Sequence, residues 1–548
     1  MRRNKSSDDG LGALSPRAAG IIREANVADG IPFRAKAGHV HRTWARTFSS
    51  LPELYLQPES EAEIEKIINL ARRCRRRVTV VGCGHSPSDL TCTSGWLVNL
   101  DNYNKVLDID RLTGVVRMQS GIRLYALAAE LERVGLAMPS LGSINEQSIA
   151  GAISTGTHGS SLQHGLISDD VVELKVTLGN GTTRTCSATE DPDLFRAALL
   201  SLGALGIISE VSFRAVPRFS LSWYQTIDTD KKMMAQWDTT LWTQDHFVRV
   251  WWFPYMRKAV VWRASEPGPV LGQDYAEPEP PRLDPPASWY GGTLGYLVYH
   301  NLLSLAQVVP RILPWVEWFV FGMQYGFRNG TTIHGVQPSR EALLMDCLYS
   351  QFVNEWAIPL SKGPEALMRL GSWLNKLKPG DEGYVEHGIP FSVEGLWVHS
   401  PVEVRVADTS LNREKRCRPW LDPTVEDGPT LYLNATLYRP YHRDPPSYKR
   451  YYEAFEWLMK DMGGRPHWAK NFRCQTIEEL YGDNLQQWRA VRDRADPEGM
   501  FAGPWHRRLV LEAGDDKHYL LPLEEAEVER RQAEGDGLRV TGDCGGRK

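Results

Sequence analysis

The chain of 548 residues carries 63 lysines and arginines against 67 aspartates and glutamates, for a formal net charge of −4. That balance argues against electrostatic capture of nucleic acid, and the length exceeds one compact core, so two domains with flanking tails are expected. The eight cysteines (74, 83, 92, 186, 347, 417, 474 and 544) form no Cys-x-x-Cys pair and no metal-ligand spacing with histidine. With no apolar signal peptide at the start, reduced thiols in an intracellular protein are expected, and no metal site.

Residues 1–40 are polar and mixed in charge, with Arg2, Arg3 and Lys5 followed at once by Asp8 and Asp9. They make a poor transit peptide, and disorder or a loosely packed lead-in helix is expected. Between Leu54 and Arg77 the text reads as a capped amphipathic helix. Ser60 is its N-cap, Glu63 lies three residues later, and Ile64, Ile67, Ile68 and Ala71 mark the apolar face. Strands are expected at 78–81, 97–100, 106–109 and 115–119, then a helix with apolar positions 124, 127, 128 and 131. Strand text at 171–178 and 207–216 closes a first domain over 41–217.

The second domain, 218–514, opens on extended text at 246–255 and 259–264. A proline- and acid-rich stretch from Glu266 to Pro286 reads as a mobile surface loop. Thr293 to Pro310 then carries no formal charge, and Trp315 to Phe327 is rich in aromatic residues. A buried helical pair, a surface that meets a membrane, or a span would each fit, although Asn301, Gln307, Pro310 and Arg311 weaken a span of this length. Helices are expected at 367–377 and 447–462, and strands at 403–410 and 430–438. A polar tail, 515–548, holds a short helical run at 521–532.

Two glycine-rich segments carry the chemistry. VTVVGCGHSPSD (78–89) is a β-branched run that stops at Gly82-Cys83-Gly84 and is followed by His85, Ser86 and Ser88. Glycines there let the backbone pass close to a phosphate-bearing ligand with its N–H groups turned toward the anion. A strand-ending turn with a solvated histidine is the competing reading of this segment alone. LGSINEQSIAGAISTGTHGSS (141–161) has almost no large apolar side chain, and its Ser143, Ser148, Thr155 and Thr157 suit a loop lining a diphosphate. Neither a Walker loop nor a GxGxxG fingerprint is present. Farther on, Glu403 and Arg405 stand two apart in extended text and so share a strand face, either as a surface ion pair or as pocket groups.

Together these segments resemble the FAD-binding domain of the vanillyl-alcohol-oxidase-like flavoproteins, and within it the aldonolactone oxidases, its fungal branch above all. The resemblance continues through Trp44–Phe48 (WARTF), Pro401–Arg405 (PVEVR) and Arg465–Phe472 (RPHWAKNF), in the family's order over roughly 40–510. It implies an α+β, two-domain fold, with an FAD-binding domain and a larger substrate (cap) domain built on an antiparallel sheet with flanking helices.

The resemblance also implies roles. His85 is joined covalently to the flavin 8α carbon, which makes the flavin a stronger oxidant. Val81, Gly82, Cys83, Gly84 and Ser86 wrap the pyrophosphate and ring edge, and Ser143, Ser148, Gly151, Thr155, Gly156, Thr157 and His158 form the other wall. Ile207 holds the adenine end through its main chain. Gly142 leaves room for dioxygen beside the flavin, which points to an oxidase over a dehydrogenase. Arg405 binds the lactone oxygen, Glu403 orients the C2 hydroxyl and helps accept its proton, and Lys470 stabilises anionic reduced flavin. His467 either touches substrate or holds its loop.

The implied reaction is D-arabinono-1,4-lactone with dioxygen, giving D-erythroascorbate through a 2-keto lactone, with hydrogen peroxide. A cytochrome c-dependent dehydrogenase, an alditol or sugar oxidase, and an inactive scaffold remain open. A mitochondrial membrane location, with peripheral attachment through 293–327, is expected by analogy, and the cytoplasm is the alternative.

Overall fold

Local chemistry sets the helix Glu61–Cys74. Extended Ser60 accepts the Glu63 amide at 3.3 Å, and the Glu63 carboxylate accepts the Glu59 amide at 3.2 Å. Ile64, Ile67, Ile68 and Ala71 are buried, as the periodicity requires. Acidic residues sit in its first turn and Arg72 and Arg73 in its last, complementing the helix dipole. The computed structural model describes residues 11, 14–267, 281–286, 289–345, 349–399, 401–410, 417–473 and 476–511. Most of the proline-rich stretch and the whole 515–548 tail, with its expected helical run, lie outside them.

Of the two readings of the lead-in, disorder or a loosely packed helix, the described part is a helix, Pro16–Asp29. Ser15 accepts the Ala18 amide at 3.2 Å, and Leu14, Ala18 and Ile22, four residues apart, bury against Ile64 and Ile67.

The first unit holds two larger sheets beside two short two-stranded ones among the described residues. Leu54–Leu56, Trp96–Asn99 and Val78–Val81 run parallel, with Ala35–Lys36 antiparallel at the edge. An antiparallel sheet follows in the order Thr183–Ser187, Val171–Leu178, Gly206–Arg214, Val115–Gln119 and Val106–Ile109.

The second unit is built on one eight-stranded antiparallel sheet. Its order is Thr332–Pro338, Ser220–Thr229, Lys258–Ser265, Phe247–Phe253, Val402–Ala407, Thr430–Tyr438, Gln351–Pro359 and Arg465–Pro466. The helices Gly363–Leu374 and Tyr448–Asp461 pack together beside this sheet, the second directly on its strands. Gln351–Pro359 is a strand the sequence reading did not anticipate.

Within the stretch expected to belong to the second domain, residues near 495–508 lie instead on the first. The Met500 carbonyl accepts the Val78 amide at 2.9 Å, the Ala495 carbonyl accepts the Gly179 amide at 2.9 Å, and Arg508 pairs with Asp89 at 2.9 Å. The helices Thr293–Ala306 and Leu313–Tyr325 pair with each other, burying Tyr299, Leu303, Leu313 and Val316. Among the described residues no helix is long and apolar enough to cross a membrane.

Candidate active site

Val78–Val81 delivers the chain to a turn in which Gly84 is left-handed, at φ +65°. Neighbours pin this turn by its carbonyls. Asn99 donates to Gly82 O at 2.8 Å, the Trp44 amide to Gly84 O at 2.8 Å, and Asn471 to Pro87 O at 2.9 Å. The amides of Gly82 through Ser86 are left with no acceptor among the described residues. A run of unspent N–H groups is a ready anion cradle.

The second glycine-rich segment closes on it. A Cβ at Gly82 would lie 2.2 Å from Ser148 Oγ and 2.9 Å from its Cβ. The two loops therefore meet at a distance only glycine permits. Between them opens a cleft of about 910 Å³ of empty volume. Of the residues singled out from sequence, it is lined by Val81, Gly82, Cys83, Gly84, His85, Ser86, Ser148, Gly151 and Thr155. The Ile207 side chain turns into the core, and it is Gly206 and Ile208 that line the cleft. Gly156, at φ +73°, packs beneath Leu200 away from it. Phe501 and His506 complete the wall from the far end of the chain.

His85 is held flat against Trp44, with ring centroids 4.3 Å apart and planes 16° apart. Burial first, and then Lys470, lower its pKa to about 4 against the opposing pull of Glu146. The ring is neutral at pH 7, with a nitrogen lone pair to offer.

Gly142, Ser143, Thr157 and His158 belong to the same glycine-rich segment but lie outside the cleft lining. Gln147, in the cleft wall, donates to Thr157 Oγ1 at 3.2 Å. A methyl at Gly142 would meet Thr157 Cγ2 at 3.1 Å. Ser160 and Ser161 stitch this segment to the cap sheet, Ser161 N donating to Val406 O at 2.9 Å and Ser160 Oγ accepting from Val406 N at 3.2 Å.

The sheet carries the polar side of the site. Register places Trp251 opposite Glu403, Glu403 opposite Asn434, and Asn434 opposite Glu355, so these residues share one face. Arg405 and Tyr432, paired one step along, share it too. Ser143 Oγ bridges Glu403 at 3.4 Å and Arg405 at 3.3 Å. Asn434 donates to Glu403 at 3.4 Å, and Arg249 approaches the same carboxylate at 3.5 Å. Arg405 is 5% exposed, and Glu355 and Glu403 raise its pKa against the effect of burial. Lys470 lies 3.4 Å from Glu355.

His158 is buried, stacked on Tyr432 with centroids 3.5 Å apart, and outside the cleft lining. Burial, then Arg405, lower its pKa against Glu355. His467 holds its turn, its amide donating to Glu355 O at 2.9 Å and its Nδ1 accepting the Ala469 amide at 3.2 Å.

A model of an FAD binding domain matches residues 52–187, and one of D-arabinono-1,4-lactone oxidase matches 211–509. A Neurospora crassa protein provisionally assigned to that activity is 61% identical over 98% of both chains. The chain belongs to the D-arabinono-1,4-lactone oxidase family. The Yarrowia lipolytica D-arabinono-1,4-lactone oxidase is 41% identical, across 85% of this chain and 96% of that protein. The Saccharomyces cerevisiae D-arabinono-1,4-lactone oxidase is 36% identical, across 86% and 96%. In fold, the chain matches the solved cholesterol oxidase of Brevibacterium sterolicum with a TM-score of 0.70 at 14% identity, over 88% of this chain and 98% of that one. The two-domain flavoprotein architecture expected from sequence is therefore present, and the lactone oxidase family member is an FAD-binding oxidoreductase.

Glu355, Asn434, Arg249 and Tyr432 escaped the sequence reading. A signal existed for two of them. Asn354-Glu355 interrupts the apolar run 352–358, and Arg249 interrupts 247–253. A charge in the middle of a buried strand needs a partner.

Proposed function

We propose that this family member oxidises the C2 carbinol of D-arabinono-1,4-lactone, with dioxygen as final acceptor, and ties its FAD covalently to His85. The observation that carries this reading is the row of Glu403, Arg405, Ser143 and Asn434, tied through Ser143 to the glycine-rich segment that walls the cleft of unspent amides. FAD, when bound, supplies the hydride acceptor. Arg405 offers its guanidinium to the lactone oxygen and to negative charge developing nearby. Glu403, steadied by Asn434 and Ser143, receives the C2 hydroxyl proton on its carboxylate. Burial of Arg405 and Glu355 keeps water from screening these charges. The 2-keto lactone leaves as its ene-diol, D-erythroascorbate, alongside hydrogen peroxide.

The covalent link is supported by the neutral, stacked imidazole of His85 in the cleft wall. In an acid-denatured gel under ultraviolet light, flavin fluorescence should migrate with the wild-type polypeptide and vanish from His85→Ala. Flavin released from the wild type into the supernatant would remove the covalent assignment. Absence of peroxide with every five-membered lactone tried would remove the substrate.

The proposal extends to a lipid surface, as the family resemblance implies for a mitochondrial membrane. Leu294, Val308, Trp315, Trp318 and Phe327 stay exposed on the 293–327 helical pair. Its one acid, Glu317, is buried, while Arg311 and Arg328 face solvent. Exposed tryptophans beside cations suit an anionic bilayer interface. Vesicles containing phosphatidylserine should co-sediment the protein, and a Trp315→Ser/Trp318→Ser double variant should bind at least about tenfold less. Equal sedimentation of both would sink the idea.

A further inference from the structure

Glu355 holds no substrate and takes no proton in the scheme above, yet its carboxylate gathers three partners. Its side chain is fully buried. One carboxylate oxygen takes Arg405 Nη2 and lies 3.3 Å from His158 Nε2; the other lies 3.4 Å from Lys470 Nζ. Burial alone would raise its pKa, but Arg405, Lys470 and His158 hold it well below the ordinary range. The ligand atoms of His158, Glu355 and His467 lie within 4.8 Å of one another, as a metal would require, but two cations already neutralise the carboxylate.

Buried ion pairs add little net stability, because desolvation consumes most of the attraction. A carboxylate placed here therefore calls for a purpose other than holding the fold together. Its partners come from three separate segments: Arg405 from a central strand, Lys470 from the loop after Arg465–Pro466, and His158 from the glycine-rich loop of the first unit. Glu355 is where they converge. Arg249, Arg405 and Lys470 face Glu355 and Glu403, so with both imidazoles neutral the cluster holds one positive charge in excess. That charge is felt in the cleft, since Lys470 lowers the pKa of His85.

We propose that Glu355 is a positioning residue that aims Arg405 and Lys470 and sets the excess charge facing the flavin end of the cleft at one unit. The inference rests on the flavin reading above. Without Glu355 the same end would carry two positive charges, and the two cations, released from a shared anchor, would lose their fixed spacing. Charge and aim then separate experimentally. Glu355→Gln removes the charge at constant shape, and Glu355→Asp keeps the charge but withdraws it by one methylene.

The probe is inorganic sulfite, an anion that bleaches bound flavin, titrated into the flavin-loaded full-length protein beside steady-state turnover. Glu355→Gln should bind sulfite about tenfold more tightly than wild type while kcat falls. Glu355→Asp should bind sulfite within about twofold of wild type, with kcat lowered about 10- to 100-fold by the misplaced cations. A residue that only supported the fold would lower the melting temperature and leave sulfite affinity unmoved. Wild-type flavin that bleaches, with Glu355→Gln binding sulfite equally or more weakly, would overturn this proposal alone. Should Glu355→Gln fail to load flavin, wild-type kcat in Glu355→Asp would do the same. A wild-type protein that carries no flavin would overturn the flavin reading and this inference with it.

Discussion

Arg405→Ala should lower the rate of flavin bleaching by D-arabinono-1,4-lactone by about 10²- to 10³-fold, the loss typical when one donor to developing negative charge is removed. It should also cost about 3–5 kcal/mol of stability, because fully buried Glu355 would be left beside a vacated guanidinium, with half-buried Glu403 next to it. Arg405→Lys should recover much of the stability and little of the rate. A lysine supplies charge, but its single ammonium cannot reach Glu355, Glu403 and Ser143 together as the planar fork does. Anaerobic stopped-flow bleaching and urea unfolding measure the two losses separately. Near-wild-type bleaching in Arg405→Ala would remove the guanidinium from the reaction.

Gly82→Ala should abolish flavin loading while leaving the cap sheet folded. The added methyl would sit 2.2 Å from Ser148 Oγ and 2.9 Å from Ser148 Cβ, so rotating the hydroxyl away does not relieve the overlap and the two loops must part. The amides of Gly82 through Ser86 would then no longer face a closed wall. Restoring space with Ser148→Gly in the same chain should restore loading, since both overlapping atoms belong to that side chain. Flavin absorbance per protein in the single and double variants decides it. A fully loaded Gly82→Ala would mean that the loops are not held together by this approach.

The glycine-rich loops and the Glu403/Arg405 pair were legible because each is a local pattern. A strand end, a capped helix and a two-residue spacing all declare themselves within a dozen residues. Glu355 and Asn434 did not, because their meaning lies in register. They stand beside Glu403 only once three strands distant in sequence are laid side by side. The helix Pro16–Asp29 stayed an alternative to disorder, because its buried stripe of Ala18 and Ile22 is too narrow to decide a composition reading. Ile207, expected to hold the adenine end by its main chain, keeps that backbone between Gly206 and Ile208, which line the cleft, while its side chain is buried in the core.

The cleft's walls come from widely separated stretches, Thr79–Ser86 early in the chain and Phe501 and His506 late in it. A ribosome would have to release almost all of this polypeptide before the pocket could shut. Each unit can begin to fold as it emerges, but cofactor capture waits for the last helices to return and dock. A chain that stops early would keep its cap sheet and still leave the flavin in solution. Bound flavin thus reports that synthesis has passed His506 as well as that the two ends of the cleft wall have met.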